Sequence, residues 1–98
     1  MMAAVDFRHH RLVTWLLERG ADVNARADAV SRHTALHAAA WNGDVPMVEL
    51  IVRAGADLAA RDEQYHATPL GRAKTSIQVS NNPLCAEVAA YLEAAGAT

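Results

Sequence analysis

The side chains able to do chemistry in this 98-residue chain are five histidines, one cysteine and a scatter of carboxylates. His33 and His37 are four apart, a spacing that puts two imidazoles on one helix face only when both lie in the helix. The residues around them predict a helix that begins after His33, so the pair need not share a face. His9 and His10 are adjacent and point different ways. No Cys and His spacing matches a zinc site. Cys85 follows Pro83 near a predicted helix start, where a thiol pKa can fall, but no base is placed to use it. Neither a glycine-rich phosphate loop nor a Ser-His-Asp arrangement is present. The reading is therefore no catalytic residue, no metal and no cofactor.

The residues that remain suit recognition by contact. Trp41 follows the Ala39-Ala40 pair at the exposed end of a predicted helix, and tryptophan is enriched among interface hot spots. Asn42 beside it can both donate and accept hydrogen bonds. Two polar stretches add to them. The first holds Arg26, Ser31, Arg32 and His33; the second holds Arg61, Glu63, Gln64, Tyr65 and His66. Arg and Tyr at projecting positions suit protein contacts. The plainer alternative is that Trp41 packs on its neighbours and that the rest are solvated turn residues.

These side chains need elements to carry them, and the sequence repeats. Gly20-Ala21-Asp22 and Gly55-Ala56-Asp57 are 35 residues apart, and Gly96-Ala97 returns the mark 41 residues later. Thr34-Ala35-Leu36-His37 is followed 34 residues on by Thr68-Pro69-Leu70-Gly71. Each unit reads as two short helices. Thr34 can cap the first helix and Gly43 can end it with a left-handed conformation. Asp44 can cap the second, with Pro46 in its opening turn and Gly55 at its close. All three prolines and four of the five glycines fall at such boundaries; Gly71 does not. Apolar residues on two sides of each pair require stacked neighbours to cover them.

Thr-x-Leu-His-x-Ala-Ala, then a glycine, a Val/Leu-rich helix and Gly-Ala-Asp, resembles the ankyrin repeat signature. Residues 34–57 match it well. The resemblance, to a short, bacterial-like member, implies an all-α solenoid of stacked helix-turn-helix units with hairpin fingers. One domain over 1–98 would hold a partial first repeat (1–26), a second repeat (27–60) and a third (61–98). The first unit matches only from its second helix onward. It should expose apolar surface around Leu12, Trp15 and Leu16, with Trp15 in a core or self-associating position. The third carries about seven extra residues, expected as a loop over Thr75–Asn82 bearing Ile77 and Val79. Gly71 stands where the family has histidine, whereas His37 matches that structural histidine. The fingers should lie at 24–33 and 58–67.

The resemblance implies a module that binds an unidentified protein through finger tips and the inner helices' concave face. The alternative is a self-assembling structural unit, or a fragment of a longer repeat array, stacking through the incomplete first repeat. A formal charge of −2, with no basic stripe, argues against nucleic acid. No apolar run reaches the ~18–20 residues that cross a bilayer. Met1-Met2-Ala3-Ala4-Val5-Asp6 lacks a basic leader, and with one cysteine no internal disulfide forms, so a cytoplasmic location is expected.

Overall fold

The computed structural model describes residues 9–27 and 32–97. Among them are five helices: α1 (His10–Glu18), α2 (Ala35–Asn42), α3 (Val45–Arg53), α4 (Pro69–Ser80) and α5 (Leu84–Ala94). α2 packs mainly on α4 and forms an inner layer. α1, α3 and α5 form an outer layer behind it. Ser31 and residues 1–8 lie outside the described residues.

Alanine sets the spacing of the inner layer. Ala35, Ala38, Ala39 and Ala40 of α2 are all buried, and with so little side chain the helix sits close to its neighbours. Leu36, Met47, Val48 and Ile51 fill the space between α2 and α3, and Val13, Leu70, Val88 and Leu92 extend the same core to the other helices. Full burial of one such side chain is worth roughly 1.5–3 kcal/mol.

Gly43 ends α2 with φ +69°, a conformation that penalises other residues. Space demands glycine as well, since a Cβ there would lie 2.7 Å from Asn82 Nδ2 and 3.2 Å from Cys85 Sγ. Asp44 then caps α3, accepting from the Met47 N–H at 3.4 Å. The same carboxylate receives His10 Nε2 at 2.9 and 3.0 Å, tying α1 to the start of α3.

One expectation is corrected and another is narrowed. Residues 75–82 are not a loop, because α4 runs unbroken to Ser80. Leu70, Ala73 and Ser76 are buried and Ile77 half-buried, a helical rather than irregular pattern. No glycine or proline interrupts positions 72–82 to stop it. Asn81 does so, in the left-handed region at φ +52°. Asn82 Oδ1 then accepts from the Leu84 N–H at 3.0 Å and opens α5. The extra residues lengthen the helix, and the turn shrinks to Asn81-Asn82-Pro83.

Trp15, expected in a core or self-associating position, lies outside the core. Val13 is buried and Leu17 packs against the core, and Trp15, two residues from each, turns away from α3. It is 49% exposed, with the Arg19 guanidinium 4.5 Å over its ring. Leu12 is also exposed, so the open apolar surface expected on the first unit is present.

Leu36 is fully buried, whereas Leu50 only borders the core. Leu36→Ala should cost about 2–5 kcal/mol and Leu50→Ala clearly less. Urea unfolding followed by circular dichroism checks the order; equal costs would contradict the packing.

Candidate functional site

The first step in building the site is taken by one histidine. His37 lies in the first turn of α2, fully buried. Its Nδ1 accepts the Thr34 N–H at 3.1 Å and stands 2.8 Å from the Thr34 hydroxyl. Its Nε2 is 2.7 Å from the Ala67 carbonyl, which can only accept. The ring is therefore neutral, with its proton on Nε2. Burial pushes its pKa below the ordinary value, and the nearby Arg72 charge adds to this against the Ala67 hydrogen bond.

Ala67 ends the second finger and precedes Thr68, whose hydroxyl accepts from the Gly71 N–H at 3.1 Å and caps α4. One ring thus sets α2, this finger and α4 relative to one another. Within the finger, the Asp62 N–H donates to the Ala67 carbonyl at 3.0 Å. Asp62 is 1% exposed. It accepts from the Tyr65 N–H at 2.6 Å and from Arg72 Nε at 3.2 Å. Burial works against its charge, but the Tyr65 N–H and the Arg72 guanidinium outweigh it and hold the carboxyl below the usual aspartate range. Arg72 thereby straps the finger to α4.

The first finger is built the same way. The Ala27 N–H donates to the His33 carbonyl at 2.8 Å. Arg26 Nη1 donates to the carbonyls of Arg32 at 2.8 Å and of Arg61 at 2.7 Å, so it closes its own finger and reaches the next. Arg61 Nη1 donates to the His66 carbonyl at 2.8 Å. Arg32 and His66 occupy matching corners, with φ of +47° and +54°.

Between the second finger and the inner helices runs an open groove of roughly 650 Å³, lined by Trp41, Tyr65, Ala67, Gly71, Arg72, Thr75 and Val79. Its walls are mainly apolar. Trp41 stands at the end of α2, 37% exposed, while Tyr65 and Val79 are each 71% exposed. The backbone under Trp41 is pinned, its carbonyl accepting from Ser76 Oγ at 3.0 Å and Cys85 Sγ at 3.6 Å. Gly71 leaves the floor without a side chain.

Of the residues singled out in the sequence, Trp41 and Tyr65 meet in this groove. Arg61, Gln64 and His66 share Tyr65's finger but do not line the groove. Arg26, Arg32 and His33 belong to the first finger. Asn42 is half-buried beside the α4–α5 turn, its carbonyl accepting from Asn82 Nδ2 at 3.3 Å. Sequence reasoning missed Arg72, Thr75 and the wall position of Val79. The available signal was the helical spacing of Leu70, Ala73 and Ile77, which carries α4 past Thr75. Cys85 is buried, with Sγ 3.5 Å from the Ala40 carbonyl. Among the described residues, no three His, Cys, Asp or Glu side chains gather as a metal ligand set.

The profile of ankyrin repeats (many copies) matches residues 1–52. The chain belongs to the ankyrin repeat family. It is 43% identical over 60 residues to mouse ankyrin repeat and SOCS box protein 6, a match covering 61% of the chain. The human protein of that name is 44% identical over 55 residues, 56% of the chain. Human ankyrin repeat and SOCS box protein 16 is 41% identical over 75 residues, 76% of the chain. The matches span only 14%, 13% and 16% of those relatives' own lengths. Ankyrin repeats in general mediate protein–protein interaction and are typically not catalytic.

The neutral His37 gives the fold a pH dependence. With its folded pKa below 6.5, its contribution is fully present above pH 6.5 and is lost as pH falls through the lowered value. The stability gap between wild type and His37→Ala should therefore be widest at neutral pH and narrow as the pH falls below 6.5. Thermal melts of both chains at stepped pH measure this, and a gap that stayed constant would contradict the neutral ring.

Proposed function

We propose that this chain is a protein-binding module that holds an unidentified partner protein in the groove beside Trp41 and Tyr65. The fingers form the rest of the contact. The observation that carries the reading is the pairing of two exposed aromatic side chains across one mainly apolar groove, on a scaffold in which no buried side-chain polar atom among the described residues lacks a hydrogen bond. Tryptophan and tyrosine offer large contact area at little entropic cost, and central aromatic anchors dominate interface energetics. Arg26 and Arg61 hold the fingers in shape, which lowers the ordering cost of binding. Arg32, His33, Gln64, His66 and Asn42 are the polar surroundings. No step of catalysis, metal or cofactor enters this reading, and a cytoplasmic setting accompanies it. Among the described residues no helix is long and apolar enough to cross a membrane.

Trp41→Ala is expected to weaken partner binding by about 2 kcal/mol or more, the scale of an interface hot spot. The melting temperature should stay close to wild type, because the pinned backbone does not depend on the indole. A photo-crosslinking amino acid at position 65 should capture a partner from a lysate of the source cells, and the same group at Glu49 on α3 should not. Equal capture from both positions would remove the groove as the contact.

A second reading has its own observation. Leu12 and Trp15 leave α1 with open apolar surface, and such surface is commonly covered. Copies of the chain could stack there. Sedimentation velocity over a wide concentration range, comparing wild type with Trp15→Ser, should show a Trp15-dependent rise in mass; a strict monomer would exclude it.

A further inference from the structure

We infer that the groove takes an acidic extended peptide, with apolar side chains seated against Trp41, Tyr65 and Val79 and carboxylates facing the finger arginines. This rests on the protein-binding reading above and adds the chemistry of the partner.

The argument is one of charge. The whole chain carries −2. By sequence the two fingers (24–33 and 58–67) and the adjoining α4 carry Arg26, Arg32, Arg61, Arg72 and Lys74 against Asp28, Asp62 and Glu63. Arg72 and the fully buried Asp62 carboxylate are 3.2 Å apart and cancel. Arg32 and Glu63 are 4.0 Å apart and largely in water, a weak pair that exchanges easily. Arg26 and Arg61 donate to main-chain carbonyls, which orient the guanidinium groups without removing their charge. Those bonds leave from Nη1, one corner of a fork with five N–H groups, and such a fork matches a carboxylate. The finger side is therefore locally positive on a chain that is negative overall. Glu18, Glu49 and Glu87 lie on other helices, and Glu93 pairs with Lys74 at 3.6 Å.

The shape fits the same partner. The groove's ~650 Å³ lies within the range of about 300–1,000 Å³ common for ligand clefts. Its lining is aromatic, aliphatic or small, with Arg72 already paired. Arg61 Nη1 stands at the His66 carbonyl, between the lining residues Tyr65 and Ala67, and Arg26 follows at the Arg61 carbonyl, so these cations adjoin the finger side of the groove rather than its floor. A single-stranded nucleic acid needs a positive track along its whole backbone. A peptide with apolar residues in the groove and acidic residues on one flank needs only the arrangement present.

The test is selection from a displayed library of random peptides of about twelve residues, roughly 40 Å when extended, on the full chain at low salt. Selected peptides should combine bulky apolar residues with several Asp or Glu and few Lys or Arg. As synthetic labelled peptides they should lose about tenfold in affinity for Trp41→Ala. A similar loss is expected for Arg32→Glu, with circular dichroism showing both variants folded. Replacing the peptide's acidic residues by Asn and Gln, or raising the salt, should weaken binding without altering the protein at all. Trp41-dependent peptides lacking acidic residues would overturn the acidic partner and leave the groove as a binding site. Absence of any Trp41-dependent peptide would overturn both. A labelled oligothymidylate that bound more tightly than the peptides, and lost binding in Trp41→Ala, would overturn the peptide in favour of nucleic acid.

Discussion

The hydrogen bonds of the His37 ring decide how the second helix pair meets the third. One nitrogen accepts from the start of its own helix at Thr34, and the other donates to Ala67 at the end of the next finger. Ala67 adjoins Thr68, which caps α4, so the starts of α2 and α4 are held at a distance fixed by one rigid ring. The Ala67 carbonyl also accepts the Asp62 N–H that closes the finger. Both of its lone pairs are used, one within the finger and one between units. Lys could not replace the ring, since the site needs an acceptor as well as a donor.

The charges around the ring are arranged to suit it. Arg72 lies close enough to disfavour a second proton on His37, while Asp62 favours it. Asp62 is itself held ionised by the Tyr65 N–H and Arg72. Two opposite charges thus stand next to a neutral imidazole and largely offset each other. Removing Asp62 alone would leave Arg72 without its partner and Tyr65 without its anchor, so the electrostatics of the core and the position of an exposed aromatic are linked. A buried ion pair contributes little net stability but penalises strongly the loss of one member.

Much of this was legible in the sequence where local rules and tertiary packing agree. Thr34, His37, Gly43, Asp44 and Pro46 each sit where cap chemistry puts them, and the second unit followed from them. The loop expected over 75–82 failed because a count of extra residues says nothing about their conformation. Buried Ser76, bonded to the Trp41 carbonyl, favours helix there, and that contact spans 35 residues of sequence. The stop signal was an asparagine in the left-handed region rather than a glycine. Of the two positions expected for Trp15, core and self-associating, its exposure removes the first, because an apolar run does not show which face has a neighbour. For the site, Trp41 and Tyr65 were visible as exposed aromatics, but their meeting depends on Asp62 and Arg72, whose pairing only the fold brings about.

The irregular third unit and the groove are one feature. Had the extra residues formed a loop, α4 would have ended before Val79, and the wall facing solvent beyond Thr75 would be missing. Continuing the helix instead carries Val79 into the groove that holds Trp41, while Gly71 keeps the floor low in place of the family's histidine. The cost is local: without an imidazole at position 71, the third unit lacks the bond that His37 provides to the second. The Thr68 cap and the Arg72–Asp62 pair take over the task of fixing the start of α4. The departures from the repeat pattern therefore lower regularity in the third unit and create apolar surface there. Under the proposed protein-binding role, that surface and the arginines held by main-chain carbonyls are the parts that would meet the partner.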